Sequence, residues 1–188
     1  MKVLLVNGHE KVSHAKGELN NAFFTVAKNA LVEHDHEIRC EIVDEDYDVE
    51  EVISKILWAD VIVYQTPVFW FNIPGKFKKF IDDVFSAGRL RFLIPYSENM
   101  EYGARGSLTS KKYMLSTTWN TPESTFENAN AFLMKNKTVD DVFLPFHLSN
   151  RYFGMQQLPS FGTFDIYHNP TIEEDLKKYK EHIIQYVK

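Results

Sequence analysis

Residues 61–85 read VIVYQTPVFWFNIPGKFKKFIDDVF, and this stretch indicates the fold most clearly. Its first six residues, Val61 to Thr66, are mainly apolar, as in a strand that is buried on both faces of a sheet. A helix is expected to begin at Pro74, because proline suits the first helical position, where its missing N–H matters least. The stretch therefore predicts a strand, a loop and a helix in succession.

Strands and helices alternate in the same way along the rest of the chain. Lys2 to Asn7 (KVLLVN), closed by Gly8, predicts the central strand, and apolar residues at helical spacing follow from Leu19 to Leu31. Further patterns predict a strand at Glu37–Val43, a helix at Val49–Ala59, a strand at Lys112–Thr117, a weak helix within Ser124–Lys135, a short helix at Pro145–Phe153, a strand near Gln156–Phe164 and a helix over Thr171–Tyr186. Buried strands alternating with helices indicate an α/β fold, a doubly wound five-stranded parallel sheet of order 2-1-3-4-5, in one domain over residues 1–188.

The composition narrows the class of protein. The chain has 188 residues, with 26 acidic residues against 21 lysines and arginines, and its net charge of −5 argues against nucleic-acid binding. Cys40, the single cysteine, cannot form an internal disulfide, and the amino-terminal apolar stretch is too short for a signal peptide. No apolar run is long enough to cross a bilayer, so we expect a cytoplasmic protein without a membrane span.

Three loops are expected to meet at one edge of the sheet: Gly8–Asn20, Pro67–Asn72 and Thr118–Pro122. In an open parallel sheet, the ligand crevice lies beyond the carboxyl ends of the strands. The first loop carries His9, Lys11, Ser13, His14 and Lys16 just before a helix, which suits a phosphate. A solvated loop capped by Ser13 or Asn20 is the alternative. The glycine motifs of dinucleotide-binding domains and of P-loop nucleotidases do not occur.

The other two loops are rich in aromatic and polar residues. Phe69, Trp70 and Phe71 are consecutive, so they cannot all face the core, and some must face a flat aromatic cofactor or a second subunit. The third loop, TTWNTP, gathers hydrogen-bond donors at a strand end, although Asn120 could simply be a turn residue. Residues 89–110 are irregular and long for a loop, which indicates a functional or interfacial segment.

Other candidates have simpler explanations. His34 and His36 lack the partners that a metal site needs, so no metal site is predicted. Cys40 lies in a predicted strand and is expected to be an inert buried thiol. His147 either lines a pocket or caps the short helix, and the sequence does not decide between them.

Four segments together resemble the flavodoxin-like NAD(P)H:quinone reductases: NGHEKVSHAKGELN, LWADVIVYQTPVFWFNIPGKFKKFIDDVF, YGARGSLTSKKYMLSTTWNTP and VFLPFHLSNRYFGMQQLP. The similarity runs from Lys2 to beyond Phe161. It implies a flavodoxin-like fold, bound FAD, and two-electron reduction of a quinone by NADPH, or by NADH, in a ping-pong reaction through flavin N5. The flavin carries the chemistry, so no catalytic side chain is implied. The resemblance also implies a homodimer whose active site lies at the interface.

The site residues are carried over from this resemblance. The FAD phosphates and ribose would contact Ala15, Lys16, Gly17, Glu18, Leu19, Asn20, Asn21 and Ala22, with His9 and Ser13 nearby. The flavin ring would contact Pro67, Val68, Phe69, Trp70 and Phe71, with Thr118, Trp119, Asn120 and Thr121 at its other edge and Tyr102 reaching in from the long loop. Two positions depart from the family: Ala15 replaces a frequent hydroxyl, and Arg105 interrupts a glycine-rich stretch.

Two other functions fit the same fold. One is an FMN electron carrier of the flavodoxin type, although its phosphate loop is usually rich in threonine and serine rather than histidine and lysine. The other is a non-catalytic regulatory subunit of a cytoplasmic ion-efflux system. Steady oxidation of NADPH with menadione would argue against an exclusively regulatory role. An azo or nitro compound as acceptor would change only the substrate.

Overall fold

The computed structural model describes residues 1–13 and 15–188, so His14 of the predicted phosphate loop lies outside the described residues. The strands are β1 (Lys2–Asn7), β2 (Glu37–Ile42), β3 (Val61–Pro67), β4 (Lys112–Thr118), β5 (Gln156–Gln157) and β6 (Phe161–Thr163). The helices are α1 (Glu18–Glu33), α2 (Val49–Trp58), α3 (Gly75–Phe92), α4 (Val139–Val142), α5 (Leu144–Tyr152) and α6 (Ile172–Tyr186), with a 3₁₀ turn at Glu123–Thr125.

The strands form one parallel sheet in the order β2-β1-β3-β4-β5, which confirms the predicted fold class and strand order. Side chains alternate between two apolar layers. Leu4 and Val6 of β1 pack with α2, α3 and α5, whereas Val3 and Leu5 pack with α1 and α6. Helices on both faces therefore bury the central strands completely, as their apolar sequences require.

The predicted fifth strand is divided. β5 and β6 both pair with β4 in parallel, but residues 158–160 between them leave the ladder. Pro159 lies in this gap and has no N–H to donate, so the ladder cannot pass through it. One predicted strand of nine residues thus becomes two short ones.

The weak helix predicted within residues 124–135 is wrong, because only the 3₁₀ turn at its start forms. Asn128 explains the interruption, since its side-chain oxygen accepts the N–H of Asn130 and holds a turn in place of a helix. The sequence reading also missed α4, whose start is closed by reciprocal hydrogen bonds between Thr138 and Asp141.

The irregular segment is shorter than expected, because α3 continues to Phe92. Leu93 pairs with Gly106 across the base of the remaining loop, and Ile94 N–H donates to the Arg105 carbonyl at 2.8 Å. The Arg105 side chain returns a hydrogen bond to the Ile94 carbonyl at 2.9 Å. Arg105, which departs from the family pattern, therefore helps to close the base of the 93–106 loop. The described residues contain no helix long and apolar enough to span a membrane.

Candidate active site

A cleft of about 990 Å³ opens at the carboxyl edge of the sheet. The loops after β1, β3 and β4 meet there as expected, and they contribute His9, Ser13, Ala15, Lys16, Gly17, Glu18, Leu19, Asn20, Pro67, Val68, Phe69, Trp70, Thr118 and Asn120. Small-molecule sites span roughly 300 to 1,000 Å³, so the cleft is large enough for a cofactor.

The start of α1 forms one wall of the cleft. Gly17 precedes the helix with φ of +84°, and this N-cap residue supplies no side-chain hydrogen bond to the first turn. The starts of α2 and α3 differ, because the Asp48 carboxylate accepts the Glu51 N–H and the Glu10 carboxylate accepts the Lys76 N–H at 2.9 Å. The N–H groups at the start of α1 are thus positioned for an anion from outside the chain.

His9 lies beside this helix start. Its ring packs so closely on Gly17 that a Cβ there would lie 2.0 Å from a ring carbon. The side chain is buried, and neither ring nitrogen has a hydrogen-bond partner of good geometry among the described residues. Burial lowers the pKa of His9, although the nearby Lys16 main chain and the Asp44 carboxylate act in the opposite direction. The His9 imidazole therefore lies against the start of α1, and burial favours its neutral form.

A buried amide network attaches α1 to the sheet. Asn20 in the first turn donates to the Asn7 side-chain oxygen at 2.7 Å, and Gln65 donates to the Asn20 oxygen at 3.1 Å. The three side chains come from α1, β1 and β3, and each is at most 5% exposed. Because buried amides need partners, this network fixes the height of the helix start above the strand ends.

The loop after β3 forms a tight turn. Phe69 and Asn72 exchange two main-chain hydrogen bonds, at 2.8 and 3.0 Å, around Trp70 and Phe71. Both central residues have positive φ, +50° and +62°, as in a type I′ turn, which normally takes asparagine and glycine. The Trp70 side chain is 94% exposed. Backbone strain of this kind collects at functional sites, and here it presents an aromatic ring to the cleft.

The loops after β3 and β4 are joined to each other. Val68 N–H donates to the Thr118 carbonyl at 3.0 Å, so the two loops hold a common edge. Trp119, however, turns away into the core, where its indole N–H donates to Thr117 Oγ1 at 2.8 Å and its ring packs on Phe126. The Trp119 side chain, which was predicted to contact the flavin ring, therefore offers no hydrogen-bond donor to the cleft.

Six of the proposed site residues do not line the cleft: Asn21, Ala22, Phe71, Tyr102, Trp119 and Thr121. Tyr102 lies in the 93–106 loop, 93% exposed, with its ring 6.1 Å from that of Tyr152.

His147 neither lines the cleft nor caps α5. It bonds to Tyr113 and lines a separate cavity of about 400 Å³. Cys40 is a half-buried free thiol, and burial raises its pKa.

A further wall of the cleft was missed. Val12 and the β6–α6 residues Ile166, Tyr167, Pro170 and Ile172 also line it. Two main-chain hydrogen bonds tie this loop to the loop after β4, from Asp165 to the Thr121 carbonyl and from Ile166 to the Trp119 carbonyl, each at 3.2 Å. The loop has no periodic pattern, and its only sequence signal is Pro170 just before α6.

Comparison with known proteins agrees with this geometry. A family model described as a flavodoxin-like fold matches residues 1–187. The NADPH:quinone oxidoreductase MdaB of Haemophilus influenzae is 35% identical over 97% of this chain and 97% of its own length.

Two solved structures share the fold at 19% identity. One, from Klebsiella pneumoniae and described as a candidate quinone reductase, has a TM-score of 0.78 and matches 98% of this chain and 84% of its own. The other, general stress protein 14 of Treponema denticola in complex with FMN, has a TM-score of 0.65 and matches 98% and 97%. The described architecture and the full-length sequence match lead to one assignment: the chain belongs to the flavodoxin-like fold family, together with the quinone oxidoreductase of H. influenzae.

Proposed function

We propose that this protein is an FAD-dependent NAD(P)H:quinone oxidoreductase. The observation that carries the proposal is that one cleft contains the start of α1, where Gly17 offers no capping side chain, the buried His9 ring beside it, and the exposed Trp70 ring. A phosphorylated, flat aromatic cofactor matches both halves of this cavity. The full-length likeness to an NADPH:quinone oxidoreductase supports the same activity.

The residues present fit a flavin. The start of α1, with His9 and Lys16, would hold the phosphates, while Val68 to Trp70 and Thr118 to Asn120 would hold the ring. When bound, a flavin supplies two-electron hydride chemistry that side chains cannot perform. The protein would contribute binding and orientation, and the Asn120 amide, which lines the cleft, would donate to a ring oxygen that gains charge. Donor and acceptor would use one exposed ring face in turn, which gives ping-pong kinetics.

FAD, rather than FMN, is supported by the β6–α6 loop. Ile166, Tyr167 and Pro170 add apolar and aromatic surface to the cleft beyond the phosphate and flavin-ring walls. An adenine ring would use such a surface, whereas FMN has no group to place there. FMN in the T. denticola relative favours the second candidate, an FMN protein of the same fold.

A second copy of the chain is part of the proposal. The Tyr102 side chain does not reach the cleft of its own chain, and it is almost fully exposed. Trp70 and Phe71 are also exposed, and exposed aromatic residues are typical of interfaces. A two-fold homodimer would bring Tyr102 of one subunit to the cleft of the other. The proposed location is the cytoplasm, where the free thiol of Cys40 stays reduced.

The test is cofactor binding followed by turnover. Flavin-free protein is titrated with FAD and with FMN, and NADPH oxidation is then measured with menadione. We expect tighter binding of FAD and steady turnover. Tyr167→Ser should weaken FAD binding about tenfold, by loss of stacking, and leave FMN unchanged. Trp70→Ala, the matched control, should weaken both. Equal affinity for the two flavins would favour the FMN protein, and absence of binding would refute the function.

A further inference from the structure

A chain of three polar side chains lies outside the cleft, at the other end of β4. Tyr113 is the second residue of that strand, and its hydroxyl lies 2.9 Å from Nδ1 of His147 on α5. Nε2 of His147 lies 3.2 Å from a carboxylate oxygen of Asp140 on α4, close enough for an electrostatic contact but without hydrogen-bond geometry. The tyrosine and histidine are buried, and Asp140 reaches the surface in the separate cavity of about 400 Å³. Phenol, imidazole and carboxylate thus form a line from the sheet to solvent.

The ionic states of Asp140 and Tyr113 follow from their contacts. Partial burial acts to raise the pKa of Asp140, but contacts from His147, Ser160 and Gln157 lower it overall. Burial, reinforced by the Asp140 charge, raises the pKa of Tyr113, so its phenol remains protonated. The negative charge of Asp140 beside Nε2 favours the histidine tautomer with a proton on that nitrogen. Nδ1 is then an acceptor, and the Tyr113 hydroxyl donates to it.

Tyr113 is distinguished by this partner from the other two fully buried tyrosines. The Tyr64 hydroxyl donates to the Asn150 amide oxygen at 3.4 Å, and an amide does not take up the proton. The Tyr179 hydroxyl has no partner of good geometry among the described residues and lies near the Ser116 hydroxyl. Of the three, only Tyr113 has a base within hydrogen-bond distance.

Aromatic rings extend from Tyr113 towards the end of β1. The Phe77 ring packs directly beneath Gly8, next to His9. Its centroid is 6.3 Å from that of Phe146, which is 6.2 Å from that of Tyr113. A short series of ring contacts therefore links the phenol with Phe77, beneath the residue that precedes His9.

We propose that Tyr113 is a redox-active tyrosine, with His147 as its proton acceptor. A one-electron oxidant of the metal-complex or organic-radical class takes one electron from the phenol, and the O–H bond breaks as the proton passes to His147 Nδ1. The products are a neutral phenoxyl radical, an imidazolium and the reduced oxidant. A buried phenol needs this proton transfer, because the cation formed otherwise would be desolvated. The Asp140 carboxylate stabilises the imidazolium, so the buried region gains no unpaired charge.

The test uses the full-length protein without added flavin, so it is independent of the proposed function. Flash-generated ruthenium(III) tris-bipyridine serves as oxidant, and the radical is followed by its phenoxyl absorption and by electron paramagnetic resonance after rapid freezing. We expect a long-lived tyrosyl signal in wild type that disappears in Tyr113→Phe. The signal should persist in Tyr64→Phe and Tyr179→Phe, the matched buried controls.

His147→Gln tests the proton transfer separately. It should slow radical formation about a hundredfold, the lower range of what a positioned proton acceptor contributes. Heavy water should slow formation in wild type and have little effect in this variant. Circular dichroism of each variant checks that it is folded. An unchanged long-lived signal in Tyr113→Phe, or an unchanged rate in His147→Gln, would overturn the proposal.

Discussion

Gly17 and His9 are in close contact in the cleft, and a side chain at position 17 would overlap the His9 ring. The glycine has φ of +84° and gives the space that the imidazole ring fills. The ring is therefore buried against main chain and excluded from water, which explains why its pKa is lowered chiefly by burial. An anion that binds beside the ring would therefore favour its protonated form.

The first prediction concerns pH. Because the folded-state pKa of His9 lies below its unfolded value of 6.5, the unfolded chain binds the proton more readily. His9 then contributes stability that is present above about pH 6.5 and is lost as pH falls through the lowered folded-state pKa. We expect the unfolding free energy of the flavin-free protein to fall from about pH 7 to about pH 5, and less so in His9→Gln. Urea titrations across this range measure both slopes, and equal slopes would contradict the prediction.

A bound phosphate should reverse this behaviour, since a nearby anion favours the protonated ring. Cofactor binding at neutral pH should then take up protons in wild type and not in His9→Gln. Calorimetric titration in two buffers of different ionisation enthalpy measures the uptake directly. Equal uptake in wild type and variant would place the proton on another group.

The second prediction concerns the turn at Trp70 and Phe71. Neither residue type favours the positive φ that both adopt, so the turn is strained. Replacing the pair by Asn-Gly should stabilise the flavin-free protein by about 1 kcal/mol, because that sequence suits a type I′ turn. The same change should weaken flavin binding about tenfold by removing a stacked ring. Chemical unfolding and fluorescence titration test the two effects.

Tyr96→Asn is the control for this variant, since Tyr96 is an exposed aromatic residue of the 93–106 loop that does not line the cleft. It should leave both measurements unchanged. A double variant that is less stable than wild type would show that the turn is not strained. Unchanged flavin affinity would show that Trp70 does not contact the ring.

Helix α1 is held by side chains as well as by apolar packing. Asn20 lies between Asn7 and Gln65. Removing its amide would leave the Asn7 oxygen and the Gln65 amide without these hydrogen bonds in the buried interior. Asn20→Ala should therefore lower the unfolding free energy by about 2 kcal/mol. It should also weaken cofactor binding, because the helix start would no longer be held at one height. Asn29→Ala, on the exposed face of the same helix, should be neutral or slightly stabilising. Equal unfolding midpoints for the two variants would contradict this prediction.

Strands and helices were largely predictable because each carries its own pattern. The buried runs of β1 and β3 and the periodic apolar face of α6 need no tertiary information. The break in the fifth strand was also readable, since Pro159 cannot donate to a ladder. The failed helix at residues 124–135 shows the limit, because the Asn128 side chain accepts the Asn130 N–H and donates to the Ser124 carbonyl, which holds a turn in place of a helix.

The site was less predictable than the fold. Trp119 was readable in principle: Tyr113 and Leu115 face one core layer, and alternation carried past the end of β4 places Trp119 in the same layer. The β6–α6 wall depends on main-chain hydrogen bonds to the loop after β4. Main-chain bonds between distant segments have no signature in the residue types, so the sequence did not predict this wall. The positive φ of Trp70 is likewise imposed by the turn as a whole. Contacts between distant segments decided each of these features.

The molecule has two apolar layers around one sheet, but its cleft uses only one edge of it. Exposed aromatic residues concentrate in the loops, with Trp70 beside the cleft and Tyr102 outside it. A monomer leaves both rings in water. In the proposed homodimer, each cleft would be completed by the Tyr102 side chain of the other subunit. Full activity would then require the dimer.

A subunit-mixing experiment tests this arrangement. Gly17→Asn disables the cleft, because its Cβ overlaps the His9 ring, and it leaves Tyr102 intact. Tyr102→Ala leaves the cleft intact but removes the ring offered to the partner. Each homodimer should turn over quinone slowly. After unfolding and refolding together at equal concentrations, half of the dimers combine one subunit of each kind and contain one complete site of two. Turnover should then recover to about a quarter of the wild-type value.

If Tyr102 instead served its own cleft, every subunit in the mixture would remain defective and nothing would be recovered. The same absence of recovery would be found if the chain acted as a monomer, and size-exclusion chromatography of wild type separates these two cases. A dimer without recovery would place Tyr102 in its own subunit's site, which would require the 93–106 loop to leave the position that Leu93, Gly106 and Arg105 now hold. Because three main-chain and side-chain contacts close that loop, recovery through the partner is the outcome that the structure favours.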